Sequence, residues 1–429
     1  MVTDGGNQAS TSTVKVPYFQ ALAAMAAVAL VAAASAQSGD DPIDLDHPAI
    51  AYRTAARTDR VAELNRRLQA GQAQLRFDDR GGYLRSLLEA LDIPVESQIA
   101  LFSTTSLQGS RVSQSTPRTI FFNDSIAVAW MQGGFIEVAA QDPRQGVAFY
   151  VLPQSHTGPP SLFREQQCLG CHYTIAANGV PGVFVRSIPT AVDGTPMPWL
   201  ANNTTDHRSP LEERWAGWYV TGNPGSSRHL GNLRIANRRA QELPPWGPER
   251  IVQTLASRID PDASLSPHSD IAALLVFDHQ VRMMNLLTRL GWQARIAAHE
   301  GRGATTLGAA ASELVDYMLF VEEAPLDGVR GTSGFTEQFA KRGPRDSKGR
   351  SLRDLDLRTR LQRYPCSYMI YSDAFDALPA DARDLVYGRL KTVLTGADRA
   401  PKYARLAAAD RQAILEILRE TKANLPAGF

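Results

Sequence analysis

Between residues 98 and 152 the hydrophobic positions fall in short runs rich in Val, Ile and Phe: Ile99–Phe102, Thr119–Phe122, Ile126–Met131, Ile136–Ala139 and Val147–Leu152. Asn123-Asp124, Gly133-Gly134 and Asp142-Pro143 separate several of them. Short β-rich runs punctuated by such pairs predict strands joined by tight turns, hence a small antiparallel meander. It shows no obvious catalytic set. Elsewhere the period lengthens. Asp59–Ala70, stopped by Gly71, and Tyr83–Leu91, ended before Pro94, predict two short helices. Asp270–Leu290 predicts a long amphipathic helix. Asp278, Arg282, Asn285 and Arg289 form one stripe, and Ala272, Leu275, Met283, Leu286 and Leu290 an apolar side. Pro379–Leu394, closed by Gly396, and Asp410–Lys422 predict two further helices. The fold class expected is α+β.

Between these patterned regions lies a stretch without sustained period. Pro159 and Pro160 punctuate the chain, Leu162–Gln167 predicts a short helix, and residues 173–245 are rich in Gly, Pro, Asn and Trp. Long irregular segments usually wrap something functional. The expected organisation is a leader over residues 1–36 and an N-terminal α/β region with the meander over 37–158. A central irregular segment over 159–245 and a mainly helical region over 246–429 follow.

Composition adds little: 44% hydrophobic and 21% charged residues are ordinary for a globular chain, and a net charge of +1 disfavours a nucleic-acid partner. The N-terminus says more. The apolar run Ala21–Ala33 is followed by Ala34-Ser35-Ala36, small residues as a signal peptidase requires. Export to a periplasm-like space is expected, with a retained N-terminal anchor as the alternative. No second run reaches spanning length.

An exported chain of this size has room for disulfides, yet only Cys168, Cys171 and Cys366 occur. Two of them stand in Cys168-Leu169-Gly170-Cys171-His172, the spacing of covalent haem c attachment. There, two thiols add across the vinyl groups of one porphyrin and the adjacent imidazole lies under the iron. A thioredoxin-like pair needs a strand-to-helix junction in a βαβ unit, and a zinc ribbon needs a second ligand pair that the sequence lacks. The stretch Ser161 to His172 resembles the helix and attachment site that open a class I cytochrome c domain. That resemblance implies thioethers at Cys168 and Cys171, His172 as axial iron ligand, one covalent haem c, and usually a distal Met. It stops there, because the flanking regions match no such domain.

The sixth iron position decides between carrier and enzyme. Candidates are Met197, stiffened by Pro196 and Pro198; His207 and His229 in the irregular segment; His279 on the long helix; or none. Trp215 and Trp218 suit either a haem wall or an aromatic core, and Cys366 a buried small hydrophobe. The basic run Lys341–Arg350 reads as a solvated loop or a docking site. The leading expectation is electron transfer with a redox partner protein or a small-molecule electron donor or acceptor. The alternatives are a peroxidase- or oxygenase-like enzyme with an open distal site, and a haem-based sensor.

Overall fold

The alternating runs form a seven-stranded antiparallel sheet in the order β6-β5-β4-β3-β2-β1-β9. Its strands are β1 (Ile99–Leu101), β2 (Arg118–Phe122), β3 (Ile126–Trp130), β4 (Ile136–Asp142), β5 (Gly146–Leu152), β6 (Phe163–Arg164) and β9 (Trp218–Tyr219). A two-stranded ribbon, β7 (Val185–Ser187) with β8 (Asn203–Thr205), lies in the irregular segment. The computed structural model describes Met1, residues 41–155 and residues 158–429. The expected leader therefore lies outside the described residues, apart from Met1. Residues 41–429 fold as one unit.

The sheet is covered on both faces, so its strands alternate between two cores and not between core and water. Ile126, Val128, Trp130, Ile136, Val138 and Tyr150 pack beneath α1 (Arg60–Gln69) and α2 (Leu84–Ala90). Asp59 caps α1, its carboxylate accepting from the Val61 and Ala62 amides at 3.0 Å. Ile99, Ile120, Phe122, Ala129, Val147 and Phe149 belong to the other, larger core, which continues through the helical half of the chain.

That core is threaded by α4 (Ile271–His299), 29 residues and about 43 Å long. Asp270 caps it through the Ala272 amide and also accepts from the Thr332 and Ser333 amides. Most of the predicted polar stripe does not face solvent: Asp278, Asn285 and Arg289 are buried, while Arg282 is partly exposed and pairs with Asp206 and Glu313. The remaining helices are α5 (Gly308–Met318), α6 (Phe335–Lys341), α7 (Asp373–Asp376), α8 (Ala380–Leu394) and α9 (Ala408–Thr421). Lys348 and Arg350 in the basic run pair with Glu416 on α9, so these charges close a loop onto a helix. Among the described residues no helix is long and apolar enough to cross a membrane.

One local expectation fails. Leu162–Gln167 is not helical. Phe163 and Arg164 pair with Val151 and Tyr150 at the free edge of β5, which satisfies their backbone groups in the sheet. The opening helix implied by the cytochrome c resemblance is therefore absent. The only helix at the motif is α3 (Leu169–His172), a single turn.

Candidate functional site

That single turn sets the geometry. The Cys171 and His172 amides both donate to the Cys168 carbonyl, at 3.1 and 2.9 Å. Residues three and four apart share one helix face, so both thiols and the imidazole lie on the same side of the turn. All three line one cavity of about 490 Å³, within the ~300–1,000 Å³ usual for small-molecule and cofactor sites.

The cavity's floor is the inner face of the sheet. One cross-strand row reads Phe122, Ala127, Ala139, Phe149, so two alanines leave a notch between two phenylalanines. Ala127 and Ala139 are only partly buried, unlike Phe122, Ala129 and Phe149 around them. Phe149, Phe184, Ile120 and Phe277 complete apolar walls. Trp218 lines the cavity with its indole N–H tied to the Arg186 carbonyl, whereas Trp215 is wholly buried core. Two cations, Arg118 and Arg186, also line it.

His172 is fixed as a ligand must be. Its Nδ1 lies 3.0 Å from the Gly182 carbonyl oxygen, which only accepts, so Nδ1 carries the proton and Nε2 keeps its lone pair. The Gly182 amide returns a bond to the His172 carbonyl at 2.9 Å. Phe149 and Phe184 flank the ring at centroid distances of 5.0 and 5.5 Å. Burial, helped by the Arg118 charge, brings His172 down to about 4, so the imidazole is neutral.

The polar stripe of α4 holds this loop. Asn285 donates to the Val183 carbonyl at 2.9 Å, and Arg289 to the Asn178 carbonyl at 2.7 Å. A Cβ on Gly182 would lie 2.1 Å from the Asn285 Oδ1, so only glycine lets the loop approach the helix this closely.

The Cys168 thiol is not tuned for exchange. Burial, with Glu137 and Glu165 nearby, pushes Cys168 up to about 11, opposite to the depression a redox-active thiol needs. The preceding strand is two residues long and antiparallel to its neighbour, not part of a βαβ unit. Among the described residues no three His, Cys, Asp or Glu side chains converge as they would on a bare metal ion. A flat apolar floor, two thiols and a neutral imidazole on one helical face, and an arginine for carboxylate side chains together fit a covalently held haem.

None of the four candidate sixth ligands lines this cavity. Met197, 1% exposed, packs with Ala191, Leu233 and Ile235. His229 is buried beside Trp215. His207 and His279 are bonded to each other, Nδ1 to Nδ1 at 2.7 Å, with the Tyr317 and Phe320 rings stacked on both and Ser367 on the His279 Nε2. Each of these imidazoles serves the core. Cys366 is likewise fully buried, its thiol pushed up to about 12.

The buried imidazoles have a stability consequence. Burial lowers His172 and His229 to about 4, His279 to about 3, and His207 well below 6.5. Such groups stabilise the fold above 6.5 and lose that contribution as pH falls, because the unfolded chain takes up the protons first. Burial raises Asp278 to about 6 and Glu323 to about 7, and these oppose the trend: their contribution is present at low pH and lost as pH rises through those values. Burial raises Asp59 as well, but four imidazoles outnumber three carboxyls. The melting temperature of the haem-free chain is therefore expected to fall from pH 7 to pH 5; a constant or rising value would show that the carboxyls dominate.

The meander, which reads from sequence as lacking chemistry, in fact supplies Arg118 and Glu137 to the cavity wall. The available signal was Glu137 and Ala139 on one face of β4, a charge and a small residue where alternation calls for bulk. No family model, no curated protein and no solved structure matches this chain.

Proposed function

We propose that this chain is an exported monohaem c-type protein, with haem c joined to Cys168 and Cys171 and its iron held by His172. The observation that carries the reading is that both thiols and the free Nε2 of a neutral, tautomer-fixed imidazole open onto one apolar cavity. Bound there, the haem would supply reversible one-electron redox chemistry. The sheet notch would seat its face, and Arg186 is the cation within the cavity for its carboxylates, Arg118 being paired with Glu137.

Between carrier and enzyme, the position of Met197, His207, His229 and His279 away from the cavity favours the second. We infer a haem-dependent redox enzyme whose iron keeps an accessible face, not a carrier with both axial positions filled by protein.

The test is the visible spectrum of protein matured in a host competent for c-type attachment, followed by a pyridine haemochrome after acid–acetone extraction. Haem that survives extraction, and is lost in the folded Cys168→Ala/Cys171→Ala variant, is the expected result. A carbon monoxide shift in the reduced spectrum is expected from the accessible face; its absence would return the protein to the carrier reading. Exported, folded protein without haem would overturn both.

A further inference from the structure

Most of the cavity wall is apolar, but one patch carries opposite charges. Arg118 Nη2 lies 2.5 Å from Glu137 Oε2, and both side chains are largely buried. They stand on β2 and β4 with β3 between them, and the β3 residue opposite Glu137 is Ala129, whose small side chain leaves the guanidinium room to cross. Glu137 is held from behind: its Oε1 accepts from Ser106 Oγ at 3.3 Å and from Gln108 Nε2 at 3.1 Å. Gln108 is itself clamped by the Phe135 backbone, donating to its carbonyl and accepting from its amide.

The pair is therefore rigid, yet not saturated. Arg118 Nε is buried and has no hydrogen-bond partner among the described residues. Glu137 Oε2, which accepts only from Arg118, has a further lone pair. Arg118 holds Glu137 ionised, below the usual carboxylate range, against the burial that would raise it. Both side chains line the same cavity as Cys168 and His172.

As a strut the pair adds little. β2, β3 and β4 are already joined by backbone ladders, and a buried ion pair is often no more stabilising than apolar residues of the same volume. Chemically it does something no apolar pair does: it presents a proton acceptor and an anion-stabilising donor side by side, next to a cofactor-sized space.

We propose that Arg118 and Glu137 form the recognition site for a small weak acid HX, of the hydroperoxide class, entering the cavity that His172 also lines. The inference rests on the haem reading. In the binding step the H–X bond breaks heterolytically. The proton passes to Glu137 Oε2, and the electron pair stays on X⁻, stabilised by the Arg118 guanidinium. No electrons change hands, and charge is conserved as the carboxylate is neutralised while X⁻ forms. A ligand without an acidic proton gains nothing from the pair, which sets the specificity.

The test uses the haem-loaded protein, with hydrogen cyanide as the weak-acid probe of the oxidised form and carbon monoxide as the aprotic probe of the reduced form. Glu137→Gln is expected to slow cyanide association about tenfold or more, the low end of what a positioned base supplies. Arg118→Leu is expected to speed cyanide release by a similar factor, and Glu137→Asp to recover part of the association rate. Carbon monoxide rates should stay within about twofold in Glu137→Gln and Glu137→Asp, as the step has no proton to transfer.

Cyanide kinetics unchanged in both Glu137→Gln and Arg118→Leu would overturn the proposal. So would an equal fall in carbon monoxide binding, which would make the pair a haem-positioning element. Loaded protein that takes no cyanide at all would also overturn it while leaving haem attachment intact; failure of attachment itself is read separately, from the extraction experiment.

Discussion

Ala127→Leu combined with Ala139→Leu is expected to yield a folded chain that carries no haem, although every thiol and imidazole of the motif remains. The two alanines are direct cross-strand partners on the inner face of the sheet, with Phe122 and Phe149 at the ends of the same row. Both line the cavity, and both are more accessible than the two phenylalanines that end the row. Leucine at both positions fills the notch and takes the space a planar cofactor needs against the floor.

Small-to-large changes normally strain a packed core, by about 1–3 kcal/mol. Here the added methylenes enter an existing cavity, and burying each contributes roughly 0.8 kcal/mol. The melting temperature should therefore stay level or rise while haem content collapses. Haem-to-protein ratio by pyridine haemochrome, read beside circular dichroism melts, separates this from simple misfolding. Stoichiometric haem with an unaltered spectrum in a stably folded double variant would place the cofactor elsewhere and sink the assignment of the floor.

The contrast between the motif and its setting explains what was legible in the sequence. The strands could be read because turn pairs such as Asn123-Asp124 bracket runs of β-branched and aromatic residues, a local signal that tertiary packing did not override. Cys168, Cys171 and His172 stand out because their spacing is a local pattern, and the fold keeps all three on one cavity. Phe163 and Arg164 read as helical in the sequence, whereas their strand exists only through the free edge of β5, a partner remote from any local pattern. His207 and His229 sit among polar neighbours and suggest solvated loops, yet both are buried. Their burial comes from folding the irregular segment onto α4, which leaves no period in the sequence. The α4 stripe is legible in the sequence but its partner is not: Asn285 and Arg289 grip the loop that orients His172 and do not face water. Periodicity reports which residues share a side of a helix. It does not report what lies opposite that side.

The same stripe underlies the largest stability effect expected in the molecule, that of Arg214→Met. Arg214 and Asp278 are 1% and 0% exposed and lie 3.3 Å apart, Nη1 to Oδ2. Asp278 also accepts from the Trp215 indole at 3.0 Å and from Thr205 Oγ1 at 3.4 Å. Arg214 donates to the Ser209 and His207 carbonyls, so one guanidinium ties the irregular segment to itself and to the middle of α4. Removing it strands a buried carboxylate and frees two carbonyls. Breaking a buried pair from one side costs about 3–5 kcal/mol.

The sign of the pH dependence identifies the cause. Burial raises Asp278 to about 6 even with Arg214 beside it, and without the cation it must rise further. A carboxyl raised in the folded state contributes stability at low pH and loses it as pH rises through the folded value. The deficit of Arg214→Met relative to the parent is therefore expected to be large at pH 8 and smaller at pH 5, where Asp278 takes up a proton. The histidine contributions act on both chains and largely cancel in the difference. Adding Asp278→Leu should recover much of the loss at pH 8, because an apolar pair leaves no charge to solvate. Denaturant unfolding of the haem-free chains at the two pH values is the measurement. A deficit equal at both, or no recovery in the double variant, would mean that Arg214 acts through its carbonyl bonds and packing and not through the carboxylate of α4.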